Sequence, residues 1–354
     1  MNLGCYDSLK DGNFKRREGQ PLKHIGRIGC FGVLILFNIL AAARGGQAGA
    51  EFLLVLNKQE GSLMIVDGDS YKVLSTIRTG EGPHELTVSS DGRLAFVANY
   101  GTPQNPGRSI SVIDVLAKRE LRRVDVSPLG RPHGITESGG KIYFTTELTS
   151  TVARYDPVEN RIDWIMGTGQ AETHLLVVSP DQKKIFTANR GSNTVTAIEF
   201  LTTYPGATRI THIAVGGQPE GIDISPDGKE LWVGHNSDGN ISIIDTSTDK
   251  VKQVMSASEM PIRLKFTRDG KRLAISDPKK GEFAIFDSAT RKEIKRIKIG
   301  DFPVGVLMAP DNKRVFVAAN QANKVVVINL EDLSIAGRIE TGNGPDGLAW
   351  AKIR

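Results

Sequence analysis

Three histidines placed one repeat apart are the residues in this chain best suited to chemistry. His84, His133 and His174 each directly follow the residue that opens a repeat unit, namely Pro83, Pro132 and Thr173. Residues 51–354 contain five histidines, and three of them share this single position. In the remaining units the same column reads Glu220, Ile262, Val304 and Asp346. Imidazoles that converge with a carboxylate oxygen form a ligand set suited to zinc or copper. Metal ligation by His84, His133 and His174, with Glu220 or Asp346 adding an oxygen, is therefore one expectation. A plainer one is that the rings pack between neighbouring elements, because His84 has the same parity as Leu86 and Val88. Contact with a bound substrate is the third.

The next column reads Glu85, Gly134, Leu175, Gly221, Arg263, Gly305 and Gly347. Four glycines in one column imply close approach of neighbouring backbones. Glu85 and Arg263 are then the long polar groups able to enter the space the column surrounds. They pair there with each other or with water, or they form a small pocket in which Arg263 holds a carboxylate and Glu85 or a histidine acts as base.

The elements that position these columns follow from the repeat. Opening residues Pro83, Pro132, Thr173, Pro219, Pro261, Pro303 and Pro345 recur about every 42 residues. Each is followed by four short apolar stretches joined by turns, and a period of this size built from strands reads as one propeller blade per repeat. The first turn carries Asp-Gly or Asp-Asn pairs at Asp91-Gly92, Asp227-Gly228, Asp269-Gly270 and Asp311-Asn312, the residue types that close hairpins. The third stretch ends in Asp67, Asp114, Asp156, Asp245, Asp287 or Asn329, with Glu199 in a shifted unit. Recurrence at a turn in every unit assigns these acids to turn capping.

Residues 51–80 supply only the last three strands of a unit, and Pro345–Ile353 only a first strand. The fold expected is all-β: a seven-bladed β-propeller of four-stranded blades over residues 51–354, its first blade closed by the C-terminal strand. Closure leaves no unpaired sheet edge at the seam. In such a ring the start of each innermost strand lies beside the mouth of the central channel, on the face carrying the second-to-third-strand loops. Those loops add Tyr100, Glu147, Arg190, His235 and Asn236 to the candidates.

A basic stretch with Lys15, Arg16, Arg17, Lys23 and Arg27 precedes the apolar run Phe31–Ala43 and then Ala48-Gly49-Ala50. This is the pattern of a secretory signal peptide over residues 1–50, cleaved after Ala50. The run is short for a membrane span, so the mature chain is expected to carry none and to be periplasmic or extracellular. The first 50 residues hold 7 basic and 3 acidic side chains, leaving residues 51–354 with 38 and 37 and a net charge of +1. The basic balance of the whole chain belongs mostly to the leader and argues against a nucleic-acid partner. Both cysteines, Cys5 and Cys30, also lie in the leader. The mature chain thus has no disulfide, thiol nucleophile or thiolate ligand. No Walker loop, G-x-G-x-x-G, H-E-x-x-H, C-x-x-C-H, EF-hand or G-x-S-x-G motif occurs in it.

The second strands carry Phe96-Val97-Ala98-Asn99, Phe186-Thr187-Ala188-Asn189 and Trp232-Val233-Gly234-His235-Asn236. They resemble the tetrapeptide of the YVTN-repeat β-propeller family across the mature chain, with departures at Thr145-Thr146-Glu147 and Ile275-Ser276-Asp277. That resemblance implies an exported propeller. It leaves several functions open, because such repeats occur in surface proteins, periplasmic binding proteins, lactonase-like hydrolases and redox-enzyme relatives. The absence of a dense acid-base cluster favours a monomeric binding or interaction module, holding a small ligand or a partner protein at the channel mouth. The histidine column keeps two alternatives, a lactonase-like hydrolase built on His84, His133, His174, Glu85 and Arg263, and a metal-binding or redox-associated propeller.

Overall fold

The computed structural model describes residues 49–201 and 206–354, so residues 1–48 of the expected leader lie outside the described part. Seven four-stranded antiparallel sheets make up that part. Blade 1 is composite. Its innermost strand Pro345–Lys352 pairs with Glu51–Asn57, followed outward by Ser62–Asp67 and Val73–Arg78. The seam register sets Phe52 against Ala351 and Leu54 against Ala349. Blades 2 to 7 begin with innermost strands Pro83–Val88, Pro132–Ser138, Thr173–Val178, Pro219–Ile224, Arg263–Phe266 and Pro303–Met308. Blade 6 therefore starts later than its opening residue Pro261. Among the described residues no helix is long and apolar enough to cross a membrane.

Position within a blade explains the side-chain pattern. Second strands such as Lys184–Asn189 are buried at every residue after the first, because a neighbouring blade covers each face. Outermost strands such as Arg119–Asp125 alternate between exposed and half-buried, since one face meets water. Between the blades, Leu54, Leu56, Leu86 and Val97 join blades 1 and 2 in one apolar cluster. Edge-on aromatic pairs such as Trp232 with Phe266, 5.5 Å between centroids, do the same for blades 5 and 6.

The turns are closed by their own carboxylates. Asp227 Oδ1 accepts from Ser225 Oγ at 2.7 Å and from Lys229 N at 3.1 Å. The blade 4 turn has Gln182 where others have glycine, and it still forms, with Gln182 at φ +61° and its N–H donating to Ser179 O at 2.8 Å. At the third-strand ends Asp67, Asp114, Asp156, Asp245, Asp287 and Asn329 each accept backbone N–H bonds of 2.7–2.9 Å from the following turn. Glu199 pairs instead with Arg209.

Candidate functional site

Three local features aim the histidine column into the channel. The residue before each opening position is left-handed in six blades: Gly82, Arg131, Glu172, Gln218, Phe302 and Gly344 have φ of +53° to +67°. Immediately afterwards the ladder slips: pairing resumes only at Glu85, Ile135, Leu176, Ile222 and Val306 in blades 2, 3, 4, 5 and 7. A bulge of this kind re-aims the side chain it contains, and the side chain it contains is the column residue. Finally, the glycines that follow let the innermost strands close in. A Cβ on Gly134 would lie 2.9 Å from His174 O, and one on Gly347 2.6 Å from His84 O.

The side chains so gathered are buried and charged. Glu220, 5% exposed, is the hub: Oε1 lies 3.3 Å from both His174 Nε2 and Arg263 Nη1, and Oε2 lies 3.3 Å from Arg190 Nε and accepts from Asn236 Nδ2. Arg263 reaches across the channel to donate through Nη2 to Glu85 Oε1 at 2.6 Å. Glu85 and Arg263 are thus paired with each other, and Arg263 also lines a cavity at the mouth. Asp346 Oδ2 sits 3.3 Å from Lys58 Nζ and 3.3 Å from His84 Nδ1. Glu147 binds His174 Nδ1 with one oxygen and accepts from Tyr100 OH with the other. The Arg131 guanidinium stands 5.2 Å from the centre of the Tyr100 ring.

These contacts divide the histidines into two electrostatic kinds. Burial holds His84 and His133 well below the ordinary histidine value, helped by the positive charge of Lys58, Arg263 and His174. Both are neutral at pH 7. Burial also opposes charge on His174, but Glu220 and Glu147 outweigh it and raise its pKa. Glu220 is buried as well, and His174, Arg263 and Arg190 nevertheless hold it far below the carboxylate range. Burial raises Asp346, an effect that Lys58 and Arg263 only partly offset.

The rings of His84, His133 and His174 stack in sequence, with centroids 4.1 and 3.8 Å apart. They do not aim at one centre. Donor atoms within 4.8 Å of one another instead form two separate sets, His133–Glu147–His174 and His84–Glu85–Asp346. His133 is 0% exposed, and neither of its ring nitrogens has a hydrogen-bond partner. Beside the stack, a cavity of about 690 Å³ opens at the mouth, lined among others by Lys58, His84, Ile262, Arg263, Val304 and Asp346. A second cavity of about 380 Å³ occupies the opposite end of the channel, and Arg263 lines both.

Eleven of the twelve sequence candidates thus meet at the mouth. The exception is His235, which is buried beside the turn between blades 4 and 5, where Nε2 accepts from Gly216 N at 3.3 Å and Nδ1 lies 3.2 Å from Asp238. It occupies the column of Asn57, Asn99 and Asn189, whose side chains bind Ser or Thr hydroxyls within their own blades. The cluster residue of blade 5 is its neighbour Asn236. Lys58 was absent from the candidates although the repeat points to it: it comes directly after Asn57 as Tyr100 comes after Asn99, Glu147 after Thr146 and Arg190 after Asn189.

Comparison with known proteins adds a family. The model of the cytochrome D1 heme domain matches residues 160–353, more than half of the chain. The dihydro-heme d1 dehydrogenase of Pseudomonas aeruginosa is 26% identical over 219 residues, which cover 58% of this chain and 42% of that protein. This chain thus spans less than half the length of that relative. Among solved structures, hydrazine synthase of Kuenenia stuttgartiensis superposes with a TM-score of 0.66 at 20% identity, covering 80% of this chain and 93% of that one. The periplasmic gluconolactonase of P. aeruginosa does so with a TM-score of 0.68 at 17% identity, covering 86% and 99%. At such identities the structures share a fold, and it is the sequence match over blades 4 to 7 and the closing strand that carries the kinship: this chain belongs to the cytochrome D1 heme domain family, a family of β-propellers.

Proposed function

We propose that this chain is an exported binding propeller that seats a small polar ligand in the cavity at the histidine mouth of its channel. The carrying observation is the make-up of that cavity. Charged groups, Lys58, Arg263, Glu220 and Asp346, line it together with Ile262, Phe302 and Val304. Such a mixed wall suits a small molecule that carries both hydrogen-bonding groups and carbon. The cations are already paired with carboxylates, so recognition here rests on hydrogen bonds more than on net charge. Export is favoured by the leader pattern and by kinship of fold with a gluconolactonase described as periplasmic.

The family name raises haem as the ligand, and the residues present do not fit one. A macrocycle needs a flat slot with apolar walls and a free axial donor. Here the imidazoles stack on each other at 3.8 and 4.1 Å, with no gap for a ring between them. The adjoining cavity carries seven charged side chains, Lys58, Arg78, Glu81 and Arg263 among them.

A second reading, a lactonase-like hydrolase, is favoured by one pair. His84 lines the cavity as a neutral imidazole with Asp346 3.3 Å behind Nδ1, the arrangement of a general base and its orienting carboxylate. Native mass spectrometry of protein recovered from its own cells separates the readings. A bound small molecule, lost in Val304→Trp where the indole fills the cavity, supports the binding role. A bare mass for the unaltered chain, together with acid release from glucono-1,5-lactone that His84→Ala abolishes, supports the hydrolase. A bare mass with no such hydrolysis sinks both.

A further inference from the structure

Most charged groups at the mouth stand beside one of opposite sign, and the buried side chain there with two unpartnered nitrogens is neutral. Glu220 is shared by His174, Arg263 and Arg190, Glu85 is taken by Arg263, and Asp346 by Lys58. His133 stands in the middle of the stack, fully buried, with Nδ1 and Nε2 both unpartnered. A buried polar atom with no partner is destabilising, and this imidazole carries two. A neutral imidazole also offers one lone pair, which is what a transition-metal ion binds.

We propose that His133, His174 and Glu147 form a mononuclear, non-haem binding site for a first-row divalent ion of the zinc or copper class. The three donors come from three separate loci, the entries of blades 3 and 4 and the loop after the second strand of blade 3. Their donor atoms lie within 4.8 Å of one another. Side-chain rotation closes that spacing onto an ion whose bonds to N and O are about 2.0–2.2 Å. His174 Nδ1 and Glu147 hydrogen-bond to each other, and a divalent ion seats by displacing the proton of that bond to solvent. Two imidazoles and one carboxylate, with no thiolate in residues 51–354, select a borderline ion. The surroundings hold the ligands in place. Tyr100 OH donates to the second oxygen of Glu147, the outer-sphere contact that fixes a ligating carboxylate. Thr145 Oγ1 accepts from Gly134 N at 2.9 Å and bonds His174 O, tying the two histidine-bearing strands together.

The other donor set, His84–Glu85–Asp346, is a poor competitor. Lys58 and Arg263 already occupy its carboxylates, and an ion there would have to sit beside two fixed positive charges. His84 belongs to the cavity wall, so a ligand in the cavity and an ion on His133 are separable events, and this inference does not rest on the binding role proposed above.

The test uses untagged full-length chain, stripped with chelator, exposed to Zn²⁺ or Co²⁺ and desalted. Mass spectrometry of the metal content is expected to give about one ion per chain, and bound Co²⁺ should show visible absorption bands. His133→Ala and Glu147→Gln should each cut the ion content at least about tenfold and abolish the bands, while His212→Ala on an outer strand and Glu85→Gln in the competing set retain both. Circular dichroism melts confirm that each variant is folded. Glu147→Gln preserves size and keeps the assay decisive if His133→Ala fails to fold. A wild-type chain that retains no ion overturns the proposal, as does a stoichiometric ion that survives both substitutions.

Discussion

Two columns of the same repeat behave in opposite ways. The acids at the third-strand ends recur in blade after blade, each capping its own turn with backbone N–H bonds. The residues at the innermost-strand entries change around the ring, from three histidines through Glu220, Ile262 and Val304 to Asp346. Their contacts run between blades and across the channel. A residue that every blade carries serves the blade. A residue that only some carry serves something the ring has once, and in this chain that is the mouth.

The severest way to break the comparison is to destroy the ring on which both columns depend. Deleting residues 345–354 removes the innermost strand of blade 1, and with it the pairing along Glu51–Val55 and the burial of Phe52, Leu54 and Leu56. The truncated chain should lose its cooperative calorimetric transition and run as aggregate on a sizing column. A monomer that melts at the wild-type temperature would contradict the composite blade.

Next in size is Arg263→Met, which lies one column further on and strikes the mouth through its contacts with Glu220 and Glu85. Glu85 and Glu220 would lose a shared cation while Glu220 stays buried, and an uncompensated buried charge costs about 3–5 kcal/mol. Urea denaturation should show that loss. A change below about 1 kcal/mol would mean that Lys58 and Arg190 suffice to balance the mouth.

The smallest effect is expected from the repeating column. Asp245→Ala removes one cap of six and should lower the melting temperature by roughly 1–2 °C. The sign of its pH dependence is fixed. Bonds from Ser247 and Thr248 hold the Asp245 carboxyl below its unfolded value, so its stabilisation is complete above the unfolded pKa and fades as pH falls through the folded one. The gap between wild type and variant should shrink from pH 6 toward pH 2. A gap that widens on acidification would refute the capping role.

The part of this molecule legible in its sequence is the part that repeats. Seven blades, the seam strand, the turn acids and the mouthward column all follow from aligning units of one chain. Glu85 meets Arg263 across 178 residues of sequence, and that contact depends on the width of a channel no local pattern encodes. The stacking of the histidine rings was equally hidden, because it arises from the bulge after each left-handed residue, and a bulge at Pro132-His133 looks like ordinary strand in the sequence. His235 was misplaced by a single column, since a histidine looks chemical even in a column that blades 1, 2 and 4 fill with asparagine. Lys58 was overlooked because the first unit is incomplete and offers no opening residue to count from.

The seam also imposes an order in time. In blades 2 to 7 the innermost strand is made just before its partner, so each sheet can zip up as it emerges. In blade 1 the order is reversed: Glu51–Asn57 appears first, and the strand that covers it is the last of the twenty-eight among the described residues. Throughout synthesis the edge bearing Phe52 and Leu54 must therefore wait, and the ring becomes a ring only in its final step. Such a long-range closing contact is slow by nature, which suits a chain held unfolded until it has crossed a membrane and burdens one that begins to fold on the ribosome.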